Sequence, residues 1–453
     1  MAHTPGWTQQ PGGAETQLVR ELGVRQLAAT IFNYVVGAGI FVLPAFAAQR
    51  LGPAAVLAYL PCVLIIVLAV SCFAAAGSRV ASSGGPYAYV RAAFGPYPAF
   101  LVGVLNLVSC LVATGLVAGF LASSVLALTG SASTVARAAL MTVSIAVVAV
   151  LNVRGVRTGA RLLELLSVAK LVPLIGFVVV GAFAVRPEFL TWSEAPPASS
   201  VFGTAGLIIL AFLGIEGAVT SSGEVRDPAR TVPRAIALAM TGVVVLYVSV
   251  QVVAQGLLGP AIANEQAAPL AAGAGAAFGP AARIAMVIGA AVSMFGNLSG
   301  SVLAAPRGVF ALGRDGYGPR VLASVHATWH TPHVAILVYA AVALAIGVSG
   351  SVQQLAVMVN LASLLVYVGV ALAAWKLQAR DVRLEKPPLV LPGGPLIPLA
   401  TFAAIAAVIA AAVTRTEWLA VGIALVLASA AYAFRSLRAR PSTFLPTPPS
   451  DAM

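Results

Sequence analysis

The chain has 453 residues, 60% of them hydrophobic and only 9% charged, with 26 Lys and Arg against 14 Asp and Glu for a net charge of +12. Soluble domains carry about 25% charged residues, so this composition, with a mean hydropathy of +0.97, excludes a soluble protein and points to a polytopic membrane protein. The basic residues lie in short gaps between apolar runs rather than on one polar face, which sets membrane orientation and excludes a nucleic-acid-binding surface.

A spanning helix needs about 20 mostly apolar residues. Twelve runs qualify: 27–49, 54–78, 97–128, 135–152, 159–185, 201–222, 234–257, 280–312, 333–349, 353–377, 396–414 and 417–435. The expected fold is therefore an all-α polytopic membrane protein with about 12 transmembrane helices. Residues 1–20 and 436–453 read as polar or Pro-rich tails. The first run follows a polar segment of about 25 residues, so no cleaved signal peptide is expected. With the N-terminus inside, twenty basic residues fall in inside segments and five outside, and Lys170 falls within a helix. That bias supports the span order, and it places both termini in the cytoplasm.

The first run contains N-Y-V-V-G-A-G-I-F (33–41), with Gly37 and Gly39 around Ala38 at mid-depth. Glycine is a poor helix former, and a broken helix in lipid is tolerated only where protein or a wet cavity satisfies the freed backbone groups. The second and third runs hold Cys62, Cys72 and Cys110 without metal-ligand spacing, and these read as packing residues. The turn S-S-G-G-P (82–86) lacks the Lys-Ser/Thr ending of a phosphate loop and reads as a cytoplasmic loop.

The fifth run carries Lys170 and the sixth Glu216, the two charges deepest in apolar sequence. Such charges are costly in a bilayer and mark functional sites by default. A snorkelling side chain is the bland reading of Lys170, and an amine that exchanges a proton is the functional one. Glu216 reads either as an acid satisfied by neighbouring helix ends or as a proton-linked or gating acid. Glu164 and Glu224 lie nearer the inner surface. Gly214 and Gly217 flank Glu216, and Ser221-Ser222-Gly223 follow.

The glycine interruptions of the first and sixth runs are five spans apart. Repeats of five spans face the membrane in opposite directions, and paired interruptions in two such halves point to a midplane substrate site. Close packing of small residues is the competing explanation. Unpaired amides at Gly37, Ala38 and Gly39 suit a carboxylate, and unpaired carbonyls near Leu210, Ala211 and Leu213 suit an ammonium. A site with both recognises an amino acid.

Around the eighth gap, His326, His330 and His333 have a spacing that could place two imidazoles on one helix face, but Thr331-Pro332 breaks such a helix and no acidic partner adjoins. No metal, cofactor or catalytic group is expected, and the protein is not read as an enzyme. A channel would more commonly be a symmetric assembly around a filter.

The motifs V-G-A-G-I-F-V-L-P-A (36–45), F-L-G-I-E-G-A (212–218) with G-E-V-R-D-P-A-R-T-V-P-R-A-I (223–236), A-P-R-G-V-F-A-L-G-R-D-G-Y-G-P (305–319) and P-G-G-P-L-I-P (392–398) resemble those of the amino acid-polyamine-organocation superfamily. The resemblance runs from about residue 20 to 435. It implies a five-plus-five inverted repeat with broken helices 1 and 6, residues 21–185 and 201–378, followed by two further helices at 396–435. It also implies transport of amino acids or amines by alternating access. Val35, Gly37, Ala38 and Gly39 would contribute to the substrate site, with Leu210, Ala211, Phe212 and Leu213 opposite and Phe212 as a gate. Lys170 matches a lysine of sodium-independent and proton-coupled relatives, and the proton is the coupling ion that this implies. The chain lacks the aromatic at Leu210 and the Asn at Tyr34 of arginine carriers, which favours a neutral, apolar amino acid. An exchanger, or a carrier of a nucleobase or potassium on the same fold, is the alternative. The expected setting is the bacterial inner (plasma) membrane, as a monomer or homodimer.

Overall fold

The computed structural model describes residues 22–82, 84–130, 133–154, 170–219, 225–384 and 386–438. Among them there are no strands, and one isolated parallel bridge joins Leu22 to Val225. The helices are α1 (Val24–Val35), α2 (Gly39–Leu51), α3 (Tyr59–Gly77), α4 (Pro86–Phe94), α5 (Pro96–Leu126), α6 (Thr134–Arg154), α7 (Leu171–Gly181), α8 (Ala198–Ile208) and α9 (Ile215–Ala218). They continue with α10 (Pro228–Leu258), α11 (Pro269–Phe278), α12 (Pro280–Ala304), α13 (Pro306–Arg314), α14 (His333–Ser349), α15 (Val352–Ala379), α16 (Leu396–Ala412) and α17 (Arg415–Arg438).

Eight helical stretches among the described residues are long and apolar enough to cross a membrane. That is fewer than the twelve expected spans. The fifth, ninth and eleventh runs give the shorter apolar helices Leu171–Ala184, His333–Ser349 and Leu396–Ala411, and Gly39–Gly77 counts as one stretch. The start of the fifth run lies outside the described residues, as do Glu164, Glu224, Ser221 to Gly223, the first tail and residues 439–453, whereas 436–438 of the expected second tail end α17. Two short helices occupy gaps read as loops. α4 starts at Pro86 and stops at Gly95, and α11 starts at Pro269 and stops at Gly279. In both, proline fits the first turn, where its missing N–H costs nothing, and glycine ends the helix.

α15 lies at the centre and is mostly buried, whereas α17 is mostly exposed and turns Leu419, Ile423, Val426 and Leu427 outward. α15 packs on α3, α4 and α5. α5 also meets α14 backbone to backbone. A Cβ on Gly115 would sit 2.6 Å from the Ala343 carbonyl, and one on Gly347 would sit 2.8 Å from the Gly115 Cα. Small residues here let two apolar helices approach where lipid provides no hydrophobic drive between them.

One end of the bundle is tied together by basic side chains. Buried Arg79 donates to the Ala75 and Leu389 carbonyls, Arg380 donates to Ala93 O at 3.3 Å, and Lys386 pairs with Asp227 at 2.7 Å. Lys376 lies 4.2 Å over the Phe94 ring and Arg435 lies 4.4 Å over Tyr317. At this end the His loop is closed on itself, because His326 Nδ1 accepts the Thr328 and Trp329 amides and its ring stacks on Trp329.

Candidate functional site

α1 stops at Val35 and α2 starts at Gly39, so the chain is unwound over 36–38. Val36 N–H makes the last bond of α1, to Phe32 O at 2.9 Å. The Asn33 carbonyl is then among the last carbonyls of α1, which have no helical partner. Lys170 supplies one. Its ammonium donates to Asn33 O from a buried position at the start of α7. A cation at a helix C-terminus also opposes the helix dipole.

The second break follows α8. Ile209–Phe212 forms a single 3₁₀ turn, Leu213 is extended, and Gly214 takes φ +126 before α9. That φ is available to glycine and strained for other residues. A Cβ there would also sit 2.6 Å from the Tyr34 carbonyl, so the two breaks are pressed together. Gly39 repeats the contact, since its Cβ would lie 3.2 Å from the Ala211 Cα.

Two tyrosines secure these breaks, and neither was expected from sequence. The Tyr247 hydroxyl, on α10, lies 2.9 Å from Val35 O and 2.9 Å from Ala211 O, one carbonyl from each break. The Gly37 backbone faces the same hydroxyl. Tyr367, on α15, donates to Glu216 Oε2 at 2.8 Å, and Gly214 N–H donates to that oxygen at 3.0 Å. Glu216 is therefore bonded at the start of α9, where the helix dipole favours a carboxylate. Asn360 donates to Gly206 O at 2.8 Å and holds the end of α8. A tyrosine in an apolar run reads as a core aromatic.

A cavity of about 460 Å³ opens against the breaks. Val35, Gly37, Ala38, Gly39, Leu210, Ala211 and Leu213 all line it, as do Tyr34 and Glu216. Phe212 does not. It is wholly buried, edge-on to Tyr247 at 4.9 Å and to Tyr59 at 6.5 Å, so the expected gate is a core aromatic here. Lys170 stands behind α1 and is not part of the wall. The other walls are one face of α5, from Gly103 to Phe120, and one face of α12 and α13, from Asn297 to Gly308. The α5 face reads Gly103, Asn106, Cys110, Ala113, Val117, Phe120, a spacing of three or four that keeps one side of a helix to the cavity.

The site can therefore offer amide donors at the start of α2, carbonyl acceptors beside Leu210, and an apolar wall at Leu116, Val117 and Phe120. No metal-binding group of His, Cys, Asp or Glu occurs among the described residues.

Residues 22–430 match the family described as amino acid permease. An uncharacterized transporter of Mycobacterium tuberculosis is 31% identical over 76% of this chain and 77% of its own length. The methylthioribose transporter of Bacillus subtilis is 28% identical over 84% of this chain and 86% of its own. The branched-chain amino acid permease BcaP of the same organism is 26% identical over 85% and 86%. These relatives are transporters and not enzymes. With the family match covering nearly the whole chain, and the long apolar helices of a multi-pass membrane protein, the chain belongs to the amino acid permease family.

Proposed function

We propose that this protein is a secondary transporter of neutral, apolar amino acids that works by alternating access. The observation that carries the reading is the pair of broken helices pressed together at one cavity. The substrate carboxylate meets the amides at Gly37 to Gly39, where the positive end of α2 favours an anion. The ammonium meets the carbonyls from Leu210 to Leu213. The side chain packs on Leu116, Val117 and Phe120. Branched-chain amino acids and methylthioribose, the solutes named for two relatives, both carry an apolar group, which suits such a wall.

The Lys170 ammonium already satisfies the broken end of α1, a place where a sodium ion would otherwise be coordinated by carbonyls. That supports sodium-independent transport with the proton as coupling ion, and with Lys170 and Glu216 as the ionisable groups nearest the breaks. The two halves 21–185 and 201–378 act as inverted repeats around the site, in the inner membrane of a bacterium, as a monomer or homodimer.

Uptake of labelled leucine, isoleucine and valine into proteoliposomes tests this, with sodium absent and a pH gradient imposed or collapsed. The expected result is uptake without sodium that rises with the inward proton gradient. If no amino acid is taken up and none raises the melting temperature, the reading fails.

A further inference from the structure

Asn297, Ser301, Ala304 and Gly308 continue one helix face from the breaks to the basic end of the bundle. Asn297 stands beside Gly37, whose Cβ would lie 3.1 Å from its amide nitrogen. Ten residues further on is Arg307, about 15 Å along the path at helical rise. A Cβ on Gly308 would lie 3.9 Å from the Leu107 side chain, an ordinary contact, so α13 and α5 meet beside Arg307 and Asn106, which both line the cavity.

Arg307 and Glu216 are the two charged residues among the described residues that line this cavity. They are not equivalent. Glu216 is buried, with its Oε2 accepting from both the Gly214 amide and the Tyr367 hydroxyl. Arg307 is exposed at the mouth, bonds the Leu303 carbonyl in the last turn of α12 at 2.9 Å, and has no carboxylate partner among the described residues. A solute entering from this end therefore meets a cation with no carboxylate partner among the described residues before it meets the breaks. An exposed charge at the mouth of a low-dielectric cleft raises the local concentration of the opposite sign and depletes its own, by about tenfold where the walls focus its field.

We propose that Arg307 is a specificity-determining residue, a charge filter at the basic end of the cavity that disfavours cationic amino acids and favours neutral and anionic ones. This rests on the transport reading above and adds a cause of selectivity that lies outside the binding site. It also explains how a site without a free acid rejects a long cationic side chain that could otherwise lie along the path.

The test is counterflow of labelled leucine in proteoliposomes, with lysine and glutamate as competitors, for wild type, Arg307→Lys, Arg307→Gln and Arg307→Glu. Each competitor is expressed relative to leucine in the same variant. Lysine should compete about tenfold better in Arg307→Glu than in wild type, and glutamate worse, with Arg307→Gln between. Arg307→Lys should keep the wild-type order. The contrast should shrink at high salt, because the mouth is open to solvent. Lysine and glutamate ratios that stay constant across the four proteins while leucine exchanges overturn the filter. Lysine excluded equally from all four overturns it as well. Failure of wild type to exchange any amino acid instead sinks the transport reading, and is seen before any variant is compared.

Discussion

The Lys170 ammonium is bonded to the Asn33 carbonyl, in the last turn of α1 before the chain unwinds. The side chain replaces a donor that the break removed. Lys170→Ala leaves that carbonyl buried and unpaired, at about 1–3 kcal/mol. The variant should melt several degrees lower and transport more slowly, with an altered pH profile. Uptake matching wild type at every pH would remove Lys170 from the mechanism.

The Tyr247 hydroxyl joins carbonyls of both breaks. Tyr247→Phe keeps the ring packed on Phe212 and deletes only the oxygen. Binding of the transported amino acid should weaken roughly tenfold, for a loss of about 1–2 kcal/mol. Isothermal titration or a thermal-shift series measures this, and an unchanged affinity would reduce Tyr247 to packing.

Gly214 is confined twice, by φ +126 and by the Tyr34 carbonyl. Gly214→Ala should abolish transport and lower the yield of folded protein. Gly176→Ala, on α7, is the control, since nothing lies within 4 Å of its Cβ position. Equal activity in the two variants would contradict the close approach of the breaks.

Glu216 and Tyr367 share a 2.8 Å hydrogen bond in the core. Glu216→Gln and Tyr367→Phe should each destabilise the protein, and the double variant should lose less than their sum, with a coupling of about 0.5–3 kcal/mol. Additive melting shifts would mean that the bond contributes nothing.

The Lys386–Asp227 pair is different in kind, because both side chains are partly exposed at 50% and 29%. Such pairs contribute about 0–1 kcal/mol. Lys386→Ala should shift the melting temperature by no more than a few degrees and less still in high salt. A large loss would show that the loop after α15 is held chiefly by this bond.

Both breaks were legible in sequence because glycine interruptions recur in the first and sixth runs, five spans apart, whereas either cluster alone would read equally as close packing. Seven of the eight residues read as the substrate site line the cavity for the same reason, since their backbone is what matters. Phe212 was not legible, because the 3₁₀ turn that carries it also rotates it away from Leu210 and Leu213 and into the core. Tyr247 escaped because its acceptors lie 212 and 36 residues away in the chain. α4 and α11 escaped because nine or ten residues are too few for a periodic signal, although proline and glycine marked their ends. Arg307 entered through the orientation count and the motif 305–319, and its place on the cavity wall needs the third dimension.

Gly115 and Gly347 bring α5 and α14 to main-chain contact, with no layer of side chains between them to compress or slide. The wall of the cavity that α5 forms is therefore fixed, like the frame of a door. The broken helices pack on α10 and on each other, and their unwound segments are secured by side-chain hydrogen bonds from Tyr247 and Lys170 rather than by main-chain contact with α5. Opening the far end of the cavity should then swing α1, α2, α8 and α9 as the leaf while α5 and α14 keep their spacing. Paired labels on these two groups would record that division as one distance that changes and one that does not.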